Sequence, residues 1–203
     1  GSEMCIRDRW TSLVESKSGE RGIFNRISAQ EQAKKFGRRD PDHEFGTNPC
    51  SEIILRPYQF CNLTEVVIRE KDKFEDLKRK VMLATILGTA QSTLTKFPYL
   101  RKVWKTNTEE ERLLGVSLTG IMDNELTSGK KHGLDKTLMA LREVAVETNK
   151  EWSAIFGIPQ STAITCVKPS GTVSQLVDSS SGIHPRHSSY YIRTVRGDNK
   201  DPL

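Results

Sequence analysis

The sequence predicts a parallel α/β fold with too few elements for a complete barrel. Two stretches, residues 73–94 and 134–156, repeat apolar side chains at helical spacing. Short β-prone runs at 63–68, 113–117 and 163–167 alternate with these helices, as parallel strands joined by crossovers do. The last run passes directly into a Pro-Ser-Gly-Thr loop, which reads as a strand-to-helix turn.

The elements follow in order. The first nine residues, GSEMCIRDR, fit nothing that follows and are set apart as a foreign-looking leader, leaving 10–203 as one unit. Residues 13–16 end a helix, and Ser18-Gly19-Glu20-Arg21-Gly22 forms a turn. Ile23-Phe24 reads as a short strand. Ser28-Ala29-Gln30-Glu31 is a capping-box pattern that opens a short polar helix ending near Gly37. Residues 38–49, with Pro41, Gly46 and Pro49, form a loop that turns at Cys50 into Ile53-Ile54-Leu55. In the first long helix Phe74, Leu77, Val81, Ala84 and Gly88 share a face. In the second, Leu134, Leu138, Leu141, Ala145, Trp152 and Phe156 point inward, and Gly157 and Pro159 stop it. Residues 190–195 read as a last strand.

Composition limits the function classes. At 203 residues the chain suits one domain with a sizeable core, and 35% apolar with 28% charged residues is globular rather than disordered. No apolar run reaches the roughly 18 residues of a membrane span, and no secretory signal is read, so the expected compartment is the reducing cytoplasm. The net charge of +5 suits a solvated surface or an anionic ligand drawn to a positive cleft. No nucleic-acid motif accompanies it. The four cysteines, Cys5, Cys50, Cys61 and Cys166, are too few for a disulfide scaffold and contain no Cys-x-x-Cys pair. No metal site is expected. His184 and His187 lack a third ligand, and Cys166, in an apolar strand, reads as core.

Chemistry concentrates in three places. In Asn48-x-Cys50-x-Glu52, an extended backbone turns amide, thiol and carboxylate to one face. A carboxylate neighbour raises a thiol pKa, and the nearest histidine in sequence, His43, lies on a flanking loop. That setting suits a protonated thiol exchanging a hydrogen atom better than a Cys–His nucleophile, with Glu52 as general base. A buried cysteine at a strand start is the plainer alternative. Cys61, eleven residues on, is either a structural thiol, a reversible dithiol partner, or one of a structural pair with Cys50. In Lys168-Pro169-Ser170-Gly171-Thr172-Val173-Ser174, backbone N–H groups and hydroxyls before a helical turn suit phosphate, although the spacing is not that of a Walker loop.

Taken in order, Gly46-Thr47-Asn48-Pro49-Cys50-Ser51-Glu52-Ile53, Cys61-Asn62-Leu63-Thr64-Glu65, Pro169-Ser170-Gly171-Thr172 and Ser181-Gly182-Ile183-His184-Pro185 resemble the large catalytic chain of ribonucleotide reductases. The stretches Ser18-Gly19-Glu20-Arg21-Gly22-Ile23-Phe24-Asn25-Arg26 and Tyr190-Tyr191-Ile192-Arg193 resemble the adenosylcobalamin-dependent class. The similarity runs from about Trp10 to the C-terminus.

The resemblance implies part of a ten-stranded α/β barrel with a central finger loop carrying Cys50 at its tip. It implies adenosylcobalamin as cofactor, a thiyl radical on Cys50, and a ribonucleotide substrate, the local wording favouring triphosphate over diphosphate. Glu52 takes the 3′-hydroxyl proton, Asn48 binds the ribose hydroxyls and Cys61 is one of two reducing thiols. Residues Pro169, Ser170, Gly171, Thr172, Val173 and Ser174 cradle the phosphates. A thioredoxin-type or other dithiol reductant and nucleotide effectors are the implied partners. Two departures stand out. The family's partner for Cys61 lies upstream, with no cysteine here expected to replace it. The family's last strands and shuttle cysteines lie beyond Leu203. A nucleotide-binding piece without catalysis is the alternative.

Overall fold

The computed structural model describes residues 2–17, 22–192, 194, 197, 198 and 200. Helix α1 (Ser2–Ser16) ends where the sequence places a helix end. The turn expected at Ser18–Gly22 lies outside the described residues except for Gly22. The strand expected at Ile23-Phe24 is absent: both side chains are exposed, and among the described residues no strand pairs with them.

Helix α2 (Arg26–Lys35) starts ahead of the expected cap. Asn25 caps it, its side-chain oxygen accepting the Ser28 N–H at 3.1 Å, so Ser28 sits inside the first turn. Two-residue strands β1 (Gly46–Thr47) and β2 (Ile54–Leu55) then pair antiparallel into a hairpin.

Strand β3 (Asn62–Val67) leads to α3 (Phe74–Gln91), where the Lys73 N–H donates to Asp76 at 2.9 Å and Glu75 and Asp76 complement the helix dipole. Helix α4 (Lys102–Glu111) was not expected. Its buried residues are Asn107, Thr108 and Glu111, so it carries no apolar periodicity to read. Strand β4 (Leu114–Thr119) runs parallel to β3, with Asn62 opposite Leu114 and Val67 opposite Thr119. A 3₁₀ turn (Ile121–Asp123) and α5 (Leu134–Phe156) follow, α5 with its expected bounds and a left-handed Gly157 at its end. A last short helix, α6 (Val173–Leu176), succeeds the Pro-Ser-Gly-Thr loop.

The run at 163–167 is strand-like in direction but not a full strand. It forms one parallel bridge, Val116 to Thr165, with the Cys166 N–H donating to the Val116 carbonyl at 3.0 Å. The parallel α/β reading therefore holds locally. The described residues form two small sheets and no closed barrel.

One face of the β3–β4 sheet packs on α3 and α5, burying Val66, Ile68, Leu77, Val81, Leu114, Val116, Leu141, Ala145 and Ile164. Gly88 of α3 faces Leu114 and Thr64, which fixes that side of the sheet. Asn149 ties α5 to its neighbours, donating to Thr89 Oγ1 at 3.0 Å and accepting the Ser161 N–H at 2.9 Å. Leu138 and Phe156, expected inward, are exposed although they share the angular position of the buried stripe: they lie toward the two ends of α5, outside the span from Leu141 to Ser153 that holds its buried residues. Tyr190 and Ile192 are also exposed and form no strand, and Arg193 and Val195 lie outside the described residues. No described helix is long and apolar enough to cross a membrane.

Candidate active site

The side of the sheet turned away from the helices collects the chemistry. Side chains alternate along a strand, so with Thr64 and Val66 on the helices, Cys61, Leu63 and Glu65 face the other way. Gly115 is the closest point of approach. A Cβ there would lie 2.4 Å from Leu63 Cδ2, 3.1 Å from Cys166 Sγ and 3.1 Å from Ile53 Cδ1. The glycine lets three segments converge on one spot: β3, the 163–167 run and the hairpin.

The hairpin tip, residues 48–53, carries Cys50. It is a tight turn rather than an extended run: the Ser51 N–H donates to the Asn48 carbonyl at 3.0 Å, and Ser51 has φ of +62°. The single shared face expected for Asn48, Cys50 and Glu52 therefore does not form by strand alternation. Asn48 instead braces the turn, its Oδ1 accepting the Ile53 N–H at 3.1 Å, while the Thr47 hydroxyl donates to the Ile53 carbonyl at 3.0 Å. Cys50 is exposed, with a free thiol. Glu52 is half-buried, and its Oε2 is shut off from solvent with no hydrogen-bond partner.

Glu52 acts electrostatically on two thiols. Burial pushes the Cys61 thiol far above the ordinary range, and the neighbouring Cys166 and the Glu52 carboxylate push it further, against Arg39. Cys166 is pushed up to about 12, by burial first and then by Glu52, with Glu65 adding to the effect and Lys168 and a Ser117 hydrogen bond opposing it. Both thiols are held as S–H. The structure thus brings Glu52, Cys61 and Cys166 together. Cys166, expected in the core, is only half-buried: its Sγ shares the space over Gly115 with Leu63 and Ile53, while Glu52, Lys168 and Ser117 also act on it. Cys50, Cys61 and Cys166 are all free, which removes a Cys50–Cys61 disulfide. Among the described residues no three His, Cys, Asp or Glu side chains gather to hold a metal.

Glu65 was also missed. Both its carboxylate oxygens are sequestered without a hydrogen-bond partner, and burial raises its pKa against the pull of Lys168. The period-two spacing of Cys61, Leu63 and Glu65 was the available signal.

The Pro169 to Ser174 loop follows Lys168, whose N–H donates to Ser117 Oγ at 2.9 Å. Ser170 is buried in a left-handed conformation, φ +56°, and its carbonyl accepts the Ser174 N–H at 3.0 Å. Gly171 and Thr172 are exposed at the start of α6. The Ser181 hydroxyl donates to the Pro169 carbonyl at 3.0 Å, and the Gly182 N–H to Thr119 Oγ1 at 3.0 Å. These bonds fix the loop at the C-terminal end of β4, the edge where open parallel sheets bind ligands. The loop reaches Cys61 through Cys166, which lies three residues before Pro169.

No protein-family model matches the chain. It is 31% identical to the adenosylcobalamin-dependent ribonucleoside-triphosphate reductase of Lactobacillus delbrueckii subsp. bulgaricus, over 92% of this chain and 29% of that protein. The protein of the same name from Lactobacillus gasseri is 31% identical over 97% of this chain and 30% of its own length. That from Levilactobacillus brevis is 32% identical over 92% and 28%. The chain therefore spans less than a third of the curated relatives it matches. Its fold is similar to a crystal structure of a B12-dependent (class II) ribonucleotide reductase, with TM-score 0.56, 28% identity, and 70% of this chain against 23% of that one covered.

Proposed function

The chain is a relative of the adenosylcobalamin-dependent ribonucleotide reductases, and on that premise we propose that it is part of such an enzyme's catalytic barrel, its Cys50 hairpin serving as the finger loop. The complete protein would reduce ribonucleotides, triphosphates before diphosphates, to 2′-deoxyribonucleotides. One observation carries the reading. The hairpin bearing Cys50 and Glu52 meets, at Gly115, the strand face that holds Cys61.

The residues present fit the cofactor's chemistry, because an exposed thiol on a hairpin tip is within reach of a bulky group. Adenosylcobalamin, when bound, supplies the radical; the residues that would meet it are those of the tip, Cys50 foremost. As a thiyl, Cys50 takes the 3′ hydrogen atom of the ribose, and as a thiol it gives that atom back once the 2′ carbon has been reduced. The unpartnered Glu52 Oε2 accepts the 3′-hydroxyl proton. Asn48 spends its Oδ1 on the hairpin and keeps its Nδ2 donors for the ribose hydroxyls. As water leaves the 2′ carbon, Cys61, held as a thiol, gives up hydrogen as one of a reducing pair. Residues 169–174 bind the phosphates. A thioredoxin-type or other dithiol restores the pair, and nucleotide effectors act on the complete protein.

Cys50→Ser in the complete protein is expected to abolish both reduction and the paramagnetic signal of the coupled thiyl and cobalt. Retained turnover would sink the proposal. A second reading is nucleotide binding without catalysis, favoured by the loop's anchorage to β4 independently of the hairpin. Ribonucleotide binding with no reduction, cofactor and reductant supplied, would favour it.

A further inference from the structure

Arg39 lies just after α2, and its side chain is almost wholly buried. Its guanidinium donates to both Glu111 oxygens, each at 2.8 Å, and Glu111, the last residue of α4, is equally buried. The remaining donors go to the hairpin and its exit. Nη1 donates to the Ile54 carbonyl on β2 at 2.7 Å, and Nη2 lies 3.2 Å from Gln59 Oε1. The guanidinium also stands over the Phe45 ring, 4.6 Å from its centroid, and Phe45 directly precedes β1. One side chain therefore grips both arms of the hairpin. Gln59 closes the network by donating to Glu111, and its Oε1 accepts the Arg56 N–H at 2.8 Å.

Two arms of two residues each are too short to hold a register by themselves. The sequence also invests two buried charges here, a pairing that an apolar core of similar volume often equals or exceeds in stability. What the ion pair adds is direction. A planar guanidinium with five donors fixes an angle as well as a distance, which a lysine ammonium does not. Glu111 ends α4 next to β4, and its carbonyl accepts the Thr162 N–H at 3.0 Å, so the reference point is the sheet itself.

We propose that Arg39, seated on Glu111, is a positioning residue that sets where the Cys50 hairpin tip lies above the strand face carrying Cys61. It touches neither substrate nor cofactor. It acts by tying Phe45 and Ile54 to the end of α4, and it rests on the reading of Cys50 as the radical-bearing thiol.

The test uses the complete protein with Arg39→Lys and Glu111→Gln, and Asn149→Ala as a control that loosens the α3–α5 packing without touching the hairpin. For the first two, kcat is expected to fall about 100-fold, the scale of an ångström-sized misplacement. Nucleotide KM should stay unchanged, the thiyl–cobalt signal should weaken, and amide exchange at Ile53 should quicken. Asn149→Ala should lower the melting temperature and leave kcat per folded enzyme intact. If Arg39→Lys does not fold, Phe45→Leu removes one grip at similar volume and should show the same split on a smaller scale. Full kcat with a lowered melting temperature in Arg39→Lys, or in Phe45→Leu where the former is insoluble, overturns the inference. Turnover by Cys50→Ser would instead remove the reading beneath it, so the two failures are distinguishable.

Discussion

Gly115 and Ile53 meet with little room for a methyl group: a Cβ on the glycine would come within 3.1 Å of Ile53 Cδ1 and closer still to Leu63 Cδ2. This contact seats the Cys50 hairpin on the sheet. Gly115→Ala must push aside Leu63 and crowds Cys166 and Ile53, and Gly115→Val crowds all three further. Overpacking of this kind costs about 1–3 kcal/mol. Urea unfolding should show that loss, with valine worse than alanine, and turnover of the complete protein should fall further than stability does. Wild-type activity in Gly115→Val would mean that the hairpin does not rest here.

The thiols should separate by reactivity. Cys50 is exposed, whereas Cys61 and Cys166 are partly buried and held well above the ordinary thiol range, Cys166 at about 12. Only thiolate reacts readily. Iodoacetamide at pH 8 should therefore label Cys50 first and reach the other two only in denaturant. Peptide mapping that finds Cys61 labelled as fast as Cys50 would contradict the cluster.

Two glutamates should respond to pH with opposite signs. Burial pushes Glu111 up, but the Arg39 and Gln59 hydrogen bonds and nearby positive charge hold it below its ordinary 4.5. Its folded value is depressed, so its contribution is complete above 4.5 and is lost as pH falls through the folded value. Glu65 is raised above 4.5 by burial. Its contribution is complete below 4.5 and is lost as pH climbs through the folded value. Glu65→Gln should therefore raise the melting temperature at neutral pH and change little in acid, while Glu111→Gln should lower it at neutral pH. Melting curves from pH 3 to 8 check both signs.

Asn48→Ala removes the acceptor for the Ile53 N–H. The loss should be about 1 kcal/mol of stability, with faster proteolysis at residues 48–53. Asn48→Asp keeps the acceptor and should restore the turn, yet it places a second negative charge beside Glu52. Intact turnover in Asn48→Asp would show that the amide donors serve no ribose.

The long elements were legible because each buries one apolar stripe. Leu77, Val81 and Gly88 on α3 lie on the face their spacing predicts, and α5 has its expected bounds. Helix α4 was illegible for the converse reason: its inward side chains are Asn107, Thr108 and Glu111. At the site, Cys50, Glu52 and Cys61 stood out by type and order. Arg39, Glu65 and Cys166 did not, because their importance comes from partners far along the chain. Extended alternation misjudged Asn48, since a turn with Ser51 at positive φ bends the peptide there.

That distance along the chain has a kinetic side. Arg39 and Glu111 are 72 residues apart, Asn62 and Leu113 are 51 apart, and so are Ser117 and Lys168. Each closure spends chain entropy before its contact returns any, and parallel pairing across such spans is slow. Helices α3 and α5 need only local bonds. On dilution from denaturant, helical circular dichroism should therefore return well before Cys61 and Cys166 become resistant to alkylation. The site is then the last part of the chain to mature, and a stalled folding intermediate would carry native helices beside thiols still open to oxidation.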